Sequence, residues 1–103
     1  MATVEAPIAA ALSQEQAAAR AEFIPDWTLK EGSIEREFKF RNFREAMAFI
    51  NQVAEAAEAV KHHPDIWISY NRVRLELSTH SLGGLSPKDF DLAATIDGLV
   101  PQA

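Results

Sequence analysis

NFREAMAFINQVAEAAEAVKHHPDIWISYNRVRLELSTH, residues 42–80, changes its hydrophobic period halfway along. Over Phe43, Ala46, Met47, Ile50, Val53, Ala54, Ala57 and Val60 the apolar residues return every three or four positions. Arg44, Glu45, Gln52, Glu55 and Glu58 fall mostly on the other side. A single apolar stripe at that spacing predicts an amphipathic helix. Asn42 supplies its N-cap and Glu45 the acid three positions on. The helix stops near His62-His63-Pro64, where the proline restricts His63 to extended geometry. Ile66 to Tyr70 is short, apolar and rich in β-formers. Asn71 suits a bend. Val73, Leu75, Leu77 and Thr79 then alternate with Arg72, Arg74, Glu76 and Ser78, which predicts a strand over Arg72–Thr79.

Reading towards the N-terminus, Ile34, Arg36, Phe38 and Phe40 alternate with Glu35, Glu37 and Lys39, and Trp27 and Leu29 alternate with polar neighbours. Two period-two runs around Glu31-Gly32-Ser33 predict a β-hairpin. Before it, Ser13 and Gln16 form a capping-box pattern opening an Ala-rich helix over Gln14–Glu22, which ends before Pro25. Residues 1–12 read as a flexible tail, with Glu5 and Pro7 and no basic start of a signal peptide. Towards the C-terminus, Gly83-Gly84 breaks the chain. Ser86-Pro87-Lys88-Asp89 then starts a third helix, with Ser as N-cap, Pro at the first position and acid at the third. Phe90, Ala93, Ala94 and Ile96 supply its buried face, and Gly98 ends it. The order is α-β-β-α-β-β-α. Hairpins pair antiparallel, and helices with one apolar stripe each must cover one face of the sheet. The expectation is one α+β domain over residues 13–103, a four-stranded antiparallel sheet with helices packed on one face.

Bulk properties narrow the functions. The 103 residues suit a single domain. The absence of cysteine removes disulfides, zinc–thiolate sites, iron–sulfur clusters and thiol nucleophiles. A net charge of −5 argues against nucleic acid as a direct partner, because such binding relies on Lys and Arg neutralising phosphates. No run approaches the roughly 20 apolar residues of a membrane span, so the cytoplasm is the expected location. No phosphate loop, dinucleotide fingerprint or nucleophile elbow is present.

The candidates for chemistry are the histidines. His62, His63 and His80 occupy nineteen consecutive positions, and the chain has no others. Each falls where an element ends, the usual place for presenting functional side chains. Imidazole titrates near cellular pH, with an unperturbed pKa of about 6.5, and suits proton transfer. Singly, each also fits an ordinary surface or half-buried histidine. Metal binding ranks lower. Adjacent histidines in extended chain point to opposite sides, and no His-x-His or His-Glu-x-x-His spacing occurs. Glu58 stands four residues before His62 and would share a helix face with it if the helix ran that far. It then either orients an imidazole or remains a solvated carboxylate. Asp89 can reach the His80 loop, but its place in the first turn of the third helix already gives it a structural role, which ranks first. Ser78 and Thr79 could bind a planar heterocycle or be plain strand-end polarity. Trp27, Trp67 and Tyr70 could stack on such a ring, although most aromatics at these spacings are core.

These residues carry a resemblance. Glu58-x-x-x-His62-His63-Pro64, then Tyr70, His80 and Asp89 at their spacings, is similar to the signature of the pterin-4a-carbinolamine dehydratases. Phe38-Lys39-Phe40, Tyr70-Asn71-Arg72-Val73, Leu77-Ser78-Thr79-His80 and Gly83-Gly84-Leu85-Ser86 agree with it, so it spans about Ser13 to Asp97. The family is also called DCoH, after a second role as dimerisation cofactor of a homeodomain transcription factor. The resemblance implies dehydration of 4a-hydroxytetrahydropterin to quinonoid dihydropterin, in tetrahydropterin recycling, with no metal or organic cofactor. It implies a catalytic cluster of His62, His63 and His80. The Lys61–His63 segment, Pro64, Glu58 and the Ser78–His80 segment would line the pterin site, with Asp89 in support. It also implies a homodimer or homotetramer. Ile66, where an aromatic is frequent, and Lys61, where some members carry an acid, depart from the pattern. Two other readings stand beside this one: a non-catalytic protein-interaction module, and a pterin-binding role in molybdopterin metabolism.

Overall fold

The computed structural model describes residues 10–101. Its elements are α1 (Gln14–Ala21), β1 (Thr28–Lys30), β2 (Ser33–Lys39), α2 (Phe43–Val60), β3 (Asp65–Ser69), β4 (Arg72–Leu77), a 3-10 turn (His80–Leu82) and α3 (Pro87–Asp97). The strands form one antiparallel sheet in the order β1-β2-β4-β3. The expected α+β architecture is therefore present. Residues 1–9 of the expected tail lie outside the described residues. Leu12, counted in that tail, donates its backbone N–H to the Leu85 carbonyl at 2.8 Å and packs against the core.

Strand alternation sorts the sheet into two faces. Ile34 pairs with Leu77 and Phe38 with Val73; these four and Leu75 are buried, each at most 5% exposed. The intervening Glu35, Glu37, Lys39, Arg72, Arg74 and Glu76 make the opposite face charged. Helices can cover only the first face profitably, since fully burying a side chain such as Leu75 stabilises by about 1.5–3 kcal/mol. Ala46, Phe49, Val53 and Ala57 of α2 and Phe90, Leu92, Ala93 and Ile96 of α3 supply the other half of the core.

Several local expectations change. The buried stripe of α2 is narrower than the sequence pattern: Phe43, Ala54 and Val60 are exposed, while Phe49 is 2% exposed and central. Phe49 stacks at tilted angles on Phe38 and Phe40, with ring centroids 4.8 and 5.0 Å apart. On α3 Leu92 is buried and Ala94 is exposed. β4 ends at Leu77, two residues before the expected Thr79, and α1 ends at Ala21 with Glu22 as its cap.

Arg36 is the exception in the buried row of β2. It lies opposite Leu75, over the Phe38 ring at 4.4 Å, and donates to Asp97 Oδ1 at 2.5 Å. Trp27, 5% exposed, donates its Nε1–H to the same oxygen at 2.8 Å. The charge is tolerated there because it is paired and hydrogen-bonded. This anchors the last residue of α3, a carboxylate that the helix C-terminus itself disfavours. Trp27 is thus a core and anchoring residue, not a free stacking platform. At the start of α2, Arg41 hydrogen-bonds Glu45 and holds its carboxyl below the ordinary carboxylate range.

β3 is an edge strand, and all five of its residues are exposed. Ile66 and Ile68 face the helix side, opposite Leu75 and Val73, yet remain 39% and 37% exposed. Trp67 lies on the charged face, under the Arg74 guanidinium at 3.7 Å.

Candidate active site

The β3–β4 hairpin sets the geometry. Ser69 pairs with Arg72, so the connection is the two-residue turn Tyr70-Asn71, with Tyr70 in the left-handed region at φ 53°. The Asn71 side chain donates to the Phe40 carbonyl at 2.8 Å, tying the turn to the end of β2. From this turn the register runs back without a bulge to Asp65 opposite Glu76. Continued past that pair, it aims His63 towards Ser78 and His62 towards Thr79.

The end of α2 decides where the two adjacent imidazoles go. The helix stops at Val60, and Lys61 adopts the left-handed conformation at φ 54°. The His62 N–H donates to the Ala57 carbonyl at 3.1 Å and the Lys61 N–H to the Glu58 carbonyl at 3.2 Å. That is a Schellman pair, built here on lysine in the position that glycine usually takes. After this reversal His62 and His63 reach different carboxylates. His62 Nε2 lies 2.5 Å from Asp89 Oδ1, and His63 Nε2 lies 2.6 Å from Glu58 Oε2. The expected Glu58–His62 pairing is replaced by Glu58–His63. The helix ends before His62, and the left-handed residue rotates that side chain off the Glu58 face.

Asp89 carries two roles at once. Its side chain is 0% exposed. Oδ2 accepts the Ser86 N–H at 2.9 Å, completing the capping box of α3, and also accepts the Thr79 hydroxyl at 2.8 Å. With the Thr79 proton given to Asp89, the Ser86 hydroxyl donates to Thr79 Oγ1 at 2.7 Å. Oδ1 is left for His62. A carboxylate only accepts hydrogen bonds, so His62 carries its proton on Nε2 when it faces Asp89. In the neutral ring the Nδ1 atom then holds the lone pair. No buried side-chain polar atom among the described residues lacks a partner.

His62, Thr79, Ser86 and Asp89 are therefore one connected group, and His80 follows Thr79 directly on the 3-10 turn, exposed. His63 and Glu58 are exposed, Lys61 is exposed, and Pro64 and Ser78 are half-buried. His62 also lines a cavity of about 210 Å³ between α2 and α3, with Val60, Lys88 and Leu92 among its neighbours. His63 and His80 do not line that cavity. Among the described residues no three His, Asp or Glu side chains are grouped as a metal site would require.

A family model described as pterin 4 alpha carbinolamine dehydratase matches residues 10–99. The chain belongs to this family. A relative from Picosynechococcus, provisionally named pterin-4-alpha-carbinolamine dehydratase, is 49% identical over 92 residues, covering 89% of this chain and all of the relative. One from Acidobacterium capsulatum with the same provisional name is 57% identical over 77 residues, covering 75% of this chain and 84% of the relative. Among solved structures, a transcriptional coactivator/pterin dehydratase from Brucella melitensis superposes with a TM-score of 0.84 at 30% identity, covering 88% of this chain and 99% of that one. A pterin dehydratase-like RuBisCO assembly factor of the alpha-carboxysome shares the fold, with a TM-score of 0.61 at 22% identity over 75% of this chain and 89% of that one.

Within this dehydratase family member, sequence reasoning missed Ser86 as part of the site. The signal was available: a Ser N-cap and an Asp three residues on share hydrogen bonds, so anything that holds Asp89 also touches Ser86.

Proposed function

We propose that this chain dehydrates 4a-hydroxytetrahydropterin to quinonoid dihydropterin by histidine acid–base catalysis, in tetrahydropterin recycling. Family membership supports the reaction class. The observation that carries the assignment of residues is the buried Asp89 carboxylate, which fixes His62 and joins it to Thr79, the neighbour of His80. In the reaction the C4a–O bond breaks and the hydroxyl departs as water with a proton from an imidazolium. The N5–H bond yields its electron pair to form the C4a=N5 bond, and its proton passes to a neutral imidazole. Protons and electrons balance, so the step calls for no redox cofactor. His62 and His80 are the proton-transfer pair, one charged and one neutral at the start. His63, set by Glu58, holds and polarises the pterin, and Lys61, Pro64, Ser78 and Thr79 line its site. The acidic chain, with no helix long and apolar enough to cross a membrane among the described residues, suits a cytoplasmic enzyme.

The same proposal includes a homodimer or homotetramer. The support is the uncovered edge at β3, where Ile66, Trp67 and Ile68 are exposed together. A purely protein-interaction role is the second reading, favoured by the same edge; the Brucella protein is named as both coactivator and dehydratase.

Stopped-flow turnover of 4a-hydroxytetrahydropterin tests the first reading. Wild type should accelerate water loss, and His62→Ala and His80→Ala should each lose at least about a hundredfold while remaining folded. Wild-type rates from both variants would discard the assigned pair. No turnover by the parent chain, with partner binding that survives replacement of all three histidines, would favour the interaction module.

A further inference from the structure

The turn that carries Thr79 and His80 is closed on itself. The Thr79 N–H donates to the Gly84 carbonyl at 2.7 Å, the Leu82 N–H to Thr79 at 2.9 Å and the Gly83 N–H to His80 at 3.1 Å. Gly83, at φ 68°, supplies the reversal that lets residue 84 return to residue 79. Closing a six-residue turn in this way fixes its shape but not its position on the body of the protein.

Position comes from what touches Gly84 and Leu85. Gly84 is buried, and a Cβ built on Gly32, in the β1–β2 turn, would stand 3.9 Å from the Gly84 Cα. A Cβ built on Gly84 itself would stand 2.8 Å from the Ala11 Cβ, closer than real atoms pack. One residue on, the Leu12 N–H donates to the Leu85 carbonyl at 2.8 Å. Directly after Leu12, Ser13 caps α1, so this short segment is held at its far side as well.

We propose that Ala11-Leu12 is a positioning strap for the histidine-bearing turn. It lies across Gly84-Leu85, and Gly84 is glycine because the strap leaves no room for a side chain. Through the Thr79–Gly84 pair the strap sets the Thr79 hydroxyl, which holds Asp89 and thereby His62, and it sets the turn from which His80 projects. Ala11, Leu12 and Gly84 act through other residues and touch no substrate. The kinetic half of this inference rests on the dehydratase reading; the structural half does not.

A double-mutant cycle on the full chain tests it. Gly84→Ala should push the strap off and speed amide hydrogen exchange at Thr79 by about tenfold. The kcat for the pterin carbinolamine should fall by roughly tenfold with KM little changed. Adding Ala11→Gly to that variant removes the opposing methyl and should bring exchange and kcat back to within about threefold of wild type. Leu12→Pro, which deletes the N–H bonded to Leu85 without touching the turn, should also speed Thr79 exchange, and it serves if Gly84→Ala does not fold. Wild-type exchange at Thr79 in both Gly84→Ala and Leu12→Pro, or no recovery in the Ala11→Gly double variant, overturns the strap. Absence of turnover in wild type would instead strike the dehydratase reading, and Thr79 exchange would still decide the strap.

Discussion

Two histidine–carboxylate pairs sit side by side in sequence and differ in almost everything but length. His62–Asp89 spans 2.5 Å with side chains 12% and 0% exposed; His63–Glu58 spans 2.6 Å with side chains 60% and 76% exposed. The first is shut inside a network of Thr79 and Ser86 and cannot be loosened without stranding buried donors. The second is two solvated groups on one helix end, free to part when a ligand offers something better. A catalytic site has use for both. A proton carrier gains from a fixed tautomer and orientation, whereas a residue that grips substrate gains from being able to exchange partners.

The largest effect should come from Asp89→Ala. It removes the acceptor of three hydrogen bonds in a fully buried place, and should destabilise the fold by about 3 kcal/mol in urea titration and abolish measurable turnover. Asp89→Asn is the sharper probe. The amide can still accept from Ser86 or Thr79, but if its NH₂ group faces His62 the imidazole must accept at Nε2 and carry its proton on Nδ1. Nitrogen-15 spectra of His62 should then show the opposite tautomer from wild type, with turnover reduced by about a hundredfold or more and stability lowered by only about 1–2 kcal/mol. Since the Ser86 N–H and the Thr79 hydroxyl both need an acceptor, the amide oxygen belongs on their side and the NH₂ group on that of His62, so an unchanged tautomer would mean that Asp89 does not set it.

His62→Ala and His63→Ala compare the pairs directly. The first should cost about 1–3 kcal/mol by leaving the Asp89 carboxylate short of a partner, and the second less than about 0.5 kcal/mol. Equal losses in thermal or urea unfolding would show that burial is not what separates the two pairs. The smallest effect belongs to Glu58→Gln: a stability change of less than about 0.3 kcal/mol that shrinks further in high salt, and a raised KM with kcat nearly intact.

The period switch within residues 42–80 and the turn residues around it make the element order readable, because helix and strand impose different spacings on apolar side chains. Within the elements, the pattern is blind to which part of a stripe a neighbour covers. Phe43 and Val60 fit the α2 stripe and are exposed, while Phe49 lies between its expected members and fills the centre against Phe38 and Phe40. At the site, the candidate residues could be named but not paired. The decisive conformation is Lys61 in the left-handed region, and nothing in a lysine announces it. The helix-start role expected of Asp89 is present, and its partner His62 is what the pattern does not show: one carboxylate oxygen serves the cap and the other faces His62.

α3 is pinned at both ends. Asp89 near its start is held by Ser86, Thr79 and His62, and Asp97 at its close is held by Arg36 and Trp27. Eight residue steps of helix separate the two carboxylates, a rod of about 12 Å. Such a rod is a lever: slackening the Trp27–Arg36 moorings should swing the opposite tip, and with it the imidazole at 62, although neither residue hydrogen-bonds any member of the His62 group. Mutational sensitivity in this molecule should therefore gather in two spots, one at the histidines and one a helix-length away.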